Sequence, residues 1–200
     1  MKKILMLACA LVCFSTASFG QALTATDREK GVKYLEQTRD AVVAATQGLS
    51  EGQWKYKAAP DKWSVAETLE HIAVAEDYLF GFVKGKVMTS PPGPADRDAA
   101  KIDAMVLAMI PDRSNKRKAP AELVPTGRWT PAEALDHFLK SRAATIEFMK
   151  TTPDLREHVA DSPLGQLLDG YEWLLFIGAH SERHTKQMLE VKADASFPKS

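Results

Sequence analysis

The segment His180-Ser181-Glu182-Arg183-His184 carries two imidazoles four residues apart. On a helix this spacing sets them one turn apart on one face, so that both rings can converge on one divalent metal ion. His180 and His184 continue the apolar line of Trp173 and Ile177, which turns them toward the interior. Two imidazoles facing a core need partners, because unpaired buried polar groups are costly. A metal ion would satisfy both at once, and so would a carboxylate or ordered water. The third candidate is His71, on an earlier helix, where it shares an edge with Glu67, Val74 and Tyr78 beside the apolar stripe. Taken alone, His71 reads as a hydrogen-bonded boundary residue. Taken with the pair, it completes a set of three neutral imidazoles that leaves coordination positions for water.

Other chemistries lack their residues. The residues between the paired histidines are Ser-Glu-Arg, and Glu182 points to the opposite side of the helix, so it cannot act as the general base of a zincin-type site. No glycine-rich phosphate loop and no nucleophile elbow is present. His137 and His158 are expected at the surface, not among the ligands. Glu76 and Asp77 are expected in surface ion pairs, with orientation of a ligand imidazole as the alternative. Trp54, Trp63 and Trp129 stand at helix approaches, where packing is the default and an aromatic wall around a substrate mouth the alternative.

Four long amphipathic helices are expected to position these side chains. The first spans about Thr26 to Gln47, with Val32, Leu35, Val42 and Val43 near helical spacing and Gly48 as its stop. A loop with Trp54, Tyr56 and Pro60 follows. The second helix opens on the capping box Ser64-Val65-Ala66-Glu67 and runs to about Lys86. The third opens on Thr130, Pro131 and Glu133, and Pro153 lies beyond its end. The fourth covers about Asp169 to Val191. A shorter helix is expected at Asp96 to Ile110, between two proline-rich stretches. Strand signals are nearly absent. The fold class expected is all-α, a four-helix bundle with a long connection between the second and third long helices.

Composition bounds the function. The chain has 200 residues, 45% of them hydrophobic, which suits one domain with a real core. Lys plus Arg and Asp plus Glu both total 26, so there is no basic surplus for binding nucleic acid. The short basic run Arg113 to Lys118 reads as a solvated loop. Lys2 and Lys3, the apolar run Ile4 to Phe14, and Ser18 and Gly20 ahead of Gln21 read as a signal peptide over residues 1–20, leaving 21–200 as the mature domain. Both cysteines, Cys9 and Cys13, lie in that segment, so the mature chain would have neither a disulfide nor a thiolate ligand. The expected location is outside the cytoplasm, periplasmic or secreted, with no membrane attachment after cleavage.

The segments Trp63-Ser64-Val65-Ala66-Glu67-Thr68-Leu69-Glu70-His71 and Gly178-Ala179-His180-Ser181-Glu182-Arg183-His184-Thr185-Lys186-Gln187 resemble the second-helix and last-helix signatures of the DinB-like (YfiT-like) metalloenzyme superfamily. The resemblance spans about Lys30 to Val191. It implies a four-helix bundle of DinB/YfiT-like type whose ligands are His71, His180 and His184, holding a divalent ion such as nickel or zinc. It implies metal-dependent hydrolase or S-transferase chemistry on a small molecule of unknown identity. Export tilts this toward hydrolysis, since low-molecular-weight thiols are scarce outside the cell. The alternative is a non-catalytic bundle that binds a metal or a small ligand. Related bundles often pair through helix faces, so a homodimer is a further expectation.

Overall fold

The computed structural model describes residues 22–199. The segment 1–20 expected to be a signal peptide, with Cys9 and Cys13, lies outside the described residues. Among the described residues there are six α-helices: α1 Ala25–Thr46, α2 Glu51–Lys55, α3 Val65–Gly85, α4 Ala99–Met109, α5 Pro131–Thr151 and α6 Gly170–Lys192. The four long ones form a four-helix bundle, and their starts are set by local chemistry. The Ser64 and Thr130 hydroxyls accept from the amides of Glu67 and Glu133, whose carboxylates return to the cap amides. Asp169 and Glu172 form the same reciprocal box at the start of α6.

α1 and α3 each pack on both α5 and α6, so α1 lies diagonally across from α3, and α5 from α6. The core has two apolar layers. One gathers Leu35, Leu79, Val83, Ile146, Met149, Leu174 and Ile177; the other gathers Val42, Leu69, Ile72, Phe138 and Met188. Along α1 and α6 the chain passes from the first layer to the second, and along α3 and α5 from the second to the first. Neighbouring α1 and α6 are therefore parallel, as are α3 and α5. Parallel neighbours cannot be joined by a tight turn, so the chain from 86 to 130 must travel back along the bundle. This is the physical reason for the long connection expected from the sequence. The parallel α1 and α6 approach closely at Gly178, where a β-carbon would stand 3.0 Å from the Tyr34 ring.

A polar belt separates the layers. Fully buried Arg142 on α5 donates to Glu76 on α3, to Thr38 Oγ1 and the Leu35 carbonyl on α1, and to Ser181 Oγ on α6. One guanidinium thus touches all four long helices. Glu76 is therefore a buried ion-pair partner and not the surface one expected. Its place in the apolar stripe would be untenable without a bidentate cation opposite.

Three further expectations need correction. A two-stranded antiparallel hairpin, β1 Val159–Asp161 with β2 Leu167–Asp169, leads into α6. Three-residue strands are too short to show an alternating pattern, so they left no sequence signal. Trp54 lies on the short helix α2, which opens on a Ser50–Gln53 capping box, and not in a loop. His158 is half-buried, with its Nδ1 donating to the Ser90 carbonyl at 2.5 Å, because the chain pairs Pro92 with His158 beside the hairpin.

Candidate metal centre

Helix α3 meets α6 in antiparallel packing, which brings His71 opposite His180 and His184 near the second apolar layer. His71 Nε2 stands 3.2 Å from both His180 Nε2 and His184 Nε2. One ligand atom from each of the three lies within 4.8 Å of the others. His71 and His184 are buried and His180 is half-buried, so the open side of the cluster is at His180.

Second partners fix two of the three tautomers. His71 Nδ1 lies 2.7 Å from the Leu123 carbonyl, which can only accept, so the Nδ1 carries the proton. His184 Nδ1 lies 2.9 Å from Gln187 Oε1. The same oxygen accepts from Arg113 Nη1 at 3.2 Å, and an arginine can only donate, so the orientation of the amide follows and His184 Nδ1 is protonated too. Both Nε2 lone pairs are then bare, and they face each other at 3.2 Å. A proton could bridge one such pair; a metal ion satisfies all three rings. Tetrahedral coordination at ordinary zinc–imidazole lengths separates ligand nitrogens by about 3.3 Å, which the two separations of 3.2 Å from His71 match.

The electrostatics keep the rings neutral. Burial holds His184 and His180 well below the usual histidine range, and the charge each ring would place on its neighbours adds to this. His71 is lowered by burial, partly offset by its bond to Leu123. Neutral imidazole is the ligating form, so the site is ready for a cation at neutral pH.

Trp63 forms a wall. Its ring centroid is 4.8 Å from that of His71 and 6.4 Å from that of His184. Trp129 instead stacks on His137, and Trp54 packs against the second apolar layer. His137 is half-buried, with Nε2 on Asp77 at 2.5 Å, so neither belongs to the cluster. Glu182 accepts from Tyr34 and Lys186, away from the three rings, as its position two residues from each histidine required. The Leu123 carbonyl and the Arg113 side chain are not legible as partners in the sequence. A backbone acceptor has no residue type to read, and Arg113 belongs to a short basic run that reads as a solvated loop.

A family model described as the DinB superfamily matches residues 34–188. Uncharacterized protein YuaE of Bacillus subtilis (strain 168) is 30% identical over 149 residues, covering 72% of this chain and 86% of that one. The structure of YfiT from Bacillus subtilis superposes with a TM-score of 0.59 at 13% identity, over 86% of this chain and 89% of that chain. YfiT is described as a probable metal-dependent hydrolase with an unusual four-helix bundle topology.

Proposed function

Since this chain belongs to the DinB superfamily, we propose that it is a metal-dependent hydrolase in which His71, His180 and His184 hold one divalent ion, nickel or zinc. The observation that carries the reading is the pair of bare Nε2 lone pairs on His71 and His184, held face to face by hydrogen bonds behind each ring. Such an arrangement is repulsive until a cation enters it. When bound, the ion would supply Lewis acidity and a lowered pKa for coordinated water. The chain's own part is to present three neutral nitrogens, to fix two of them by Leu123 and Gln187, and to close one side with Trp63. The description of YfiT supports hydrolysis over other metal chemistry, and so does the expected export of the chain after loss of residues 1–20.

A second reading, a bundle that binds a metal or small ligand without turnover, is favoured by the fate of the nearby carboxylates. Glu182 is held by Tyr34 and Lys186, Glu76 by Arg142, Glu70 by loop amides and Glu67 by its cap. None of these four is free to act as a general base. The test is metal-dependent turnover across ester, lactone and amide substrates, with His180→Ala as the blank. Turnover that needs added metal and vanishes in the variant supports the enzyme. Tight metal uptake without turnover of any substrate class supports the binding bundle.

A further inference from the structure

Glu70 precedes His71 in sequence, and the two side chains grip one loop. Glu70 is almost fully buried at 3% exposure. Its Oε1 accepts from the Thr126 amide at 2.8 Å and the Thr126 hydroxyl at 3.3 Å, and its Oε2 accepts from the Gly127 amide at 2.9 Å. Arg128 Nε lies 3.3 Å from the same carboxylate. Gly127 has φ +74, a left-handed conformation open to glycine that turns the chain directly after the second of these amides. Four residues before Gly127, the same loop presents the Leu123 carbonyl to His71 Nδ1.

The loop therefore hangs from α3 at two adjacent points. At one, the protein donates to a carboxylate; at the other, a histidine donates to the protein. The Leu123 carbonyl holds His71 in the Nδ1–H tautomer only while it stays within reach of the ring. A buried carboxylate taking two backbone amides is among the stronger anchors a loop can have. The chain from Ala121 to Thr130 has no strand of its own to hold it, only a single 3₁₀ turn at Ala121–Leu123.

We infer that Glu70 is a positioning residue for the metal centre: by gripping the amides of Thr126 and Gly127, it holds the Leu123 carbonyl against His71 and so fixes which nitrogen of His71 is bare. This inference rests on the proposed His71, His180, His184 site, but its first readout does not need the ion. In metal-free protein, ¹⁵N NMR of the imidazole should show His71 protonated at Nδ1 and bare at Nε2. Glu70→Gln keeps the size of the side chain but faces its NH₂ against a loop amide, so one anchor must break. Glu70→Ala removes both. Each variant should bring His71 into a mixture of tautomers. Zinc affinity, read by chelator competition, should fall about 10- to 100-fold, as is usual when the support of a ligand histidine is lost. Val87→Ala, a cavity variant in the other apolar layer, controls for simple destabilisation and should leave both readouts unchanged. An unmoved His71 tautomer and unchanged zinc affinity in folded Glu70→Gln would overturn the inference. A wild type that takes no zinc, yet whose His71 tautomer still follows Glu70, would uphold the loop tether and overturn only the metal reading.

Discussion

The Arg142 guanidinium and the Glu76 carboxylate meet in the middle of the bundle through two hydrogen bonds of 2.7 Å each, with both side chains inaccessible to solvent. The pair divides the core into two apolar layers and ties together all four long helices. Removing one partner leaves the other charged and buried, so Glu76→Leu or Arg142→Met is expected to cost about 3–5 kcal/mol. The double variant Glu76→Leu/Arg142→Met should lose far less, because no charge is stranded. Thr145, Thr38 and Ser181 each keep a backbone carbonyl acceptor on their own helix. Urea unfolding of the two singles and the double checks this; equal losses in all three would contradict it.

Acid should destabilise the metal-free protein through the three histidines. Their folded pKa values are lowered by burial, while the unfolded chain titrates near the ordinary value of about 6.5. As pH falls below that value, the unfolded state takes up protons that the folded state refuses. Stability is thus full above about pH 6.5 and declines toward the folded values, by up to roughly 1.4 kcal/mol per pH unit for each histidine. Denaturation of metal-free protein between pH 8 and 5 should show this slope, and His184→Ala should flatten it. A slope unchanged in the variant would contradict the assignment.

Gln187 should matter to the metal without touching it. Its Oε1 holds the Nδ1 proton of His184, and Arg113 fixes the orientation of the amide. Gln187→Leu is expected to weaken zinc binding about 10- to 100-fold with the fold intact. Arg113→Met should weaken it less, since the amide can still rotate into place. Chelator competition with far-UV circular dichroism as the fold control separates these outcomes, and equal affinity in wild type and Gln187→Leu would count against the relay.

Much of this arrangement is written in residue types. The Ser64–Glu67 and Thr130–Glu133 boxes mark helix starts because a cap requires those side chains at that spacing. His180 and His184 declare a shared face, and Gln187 falls one turn beyond His180's partner where it can reach the His184 ring. What could not be read depends on contacts between distant segments. Glu76 gave no sign of Arg142, 66 residues away, because an ion pair across a bundle has no fixed spacing. The hairpin before α6 was too short for its period to register, and the Leu123 carbonyl was invisible because every residue has one.

Residues 1–20 are proposed to be removed on export. Expression of the full chain in a bacterium with an outer membrane should yield mature protein in the periplasm whose N-terminus, by sequencing, is Gln21. Retention of Met1 on a cytoplasmic product would contradict the proposal.

Metal content decides whether the three histidines form a metal site. Protein of residues 21–200 purified without a histidine tag, with His180→Ala beside it, can be measured by elemental mass spectrometry after exposure to nickel or zinc. Close to one ion per chain is expected in the wild type, and its loss in the variant. A wild type that takes up neither metal, or a variant that keeps it, would contradict the claim that His71, His180 and His184 form a metal site.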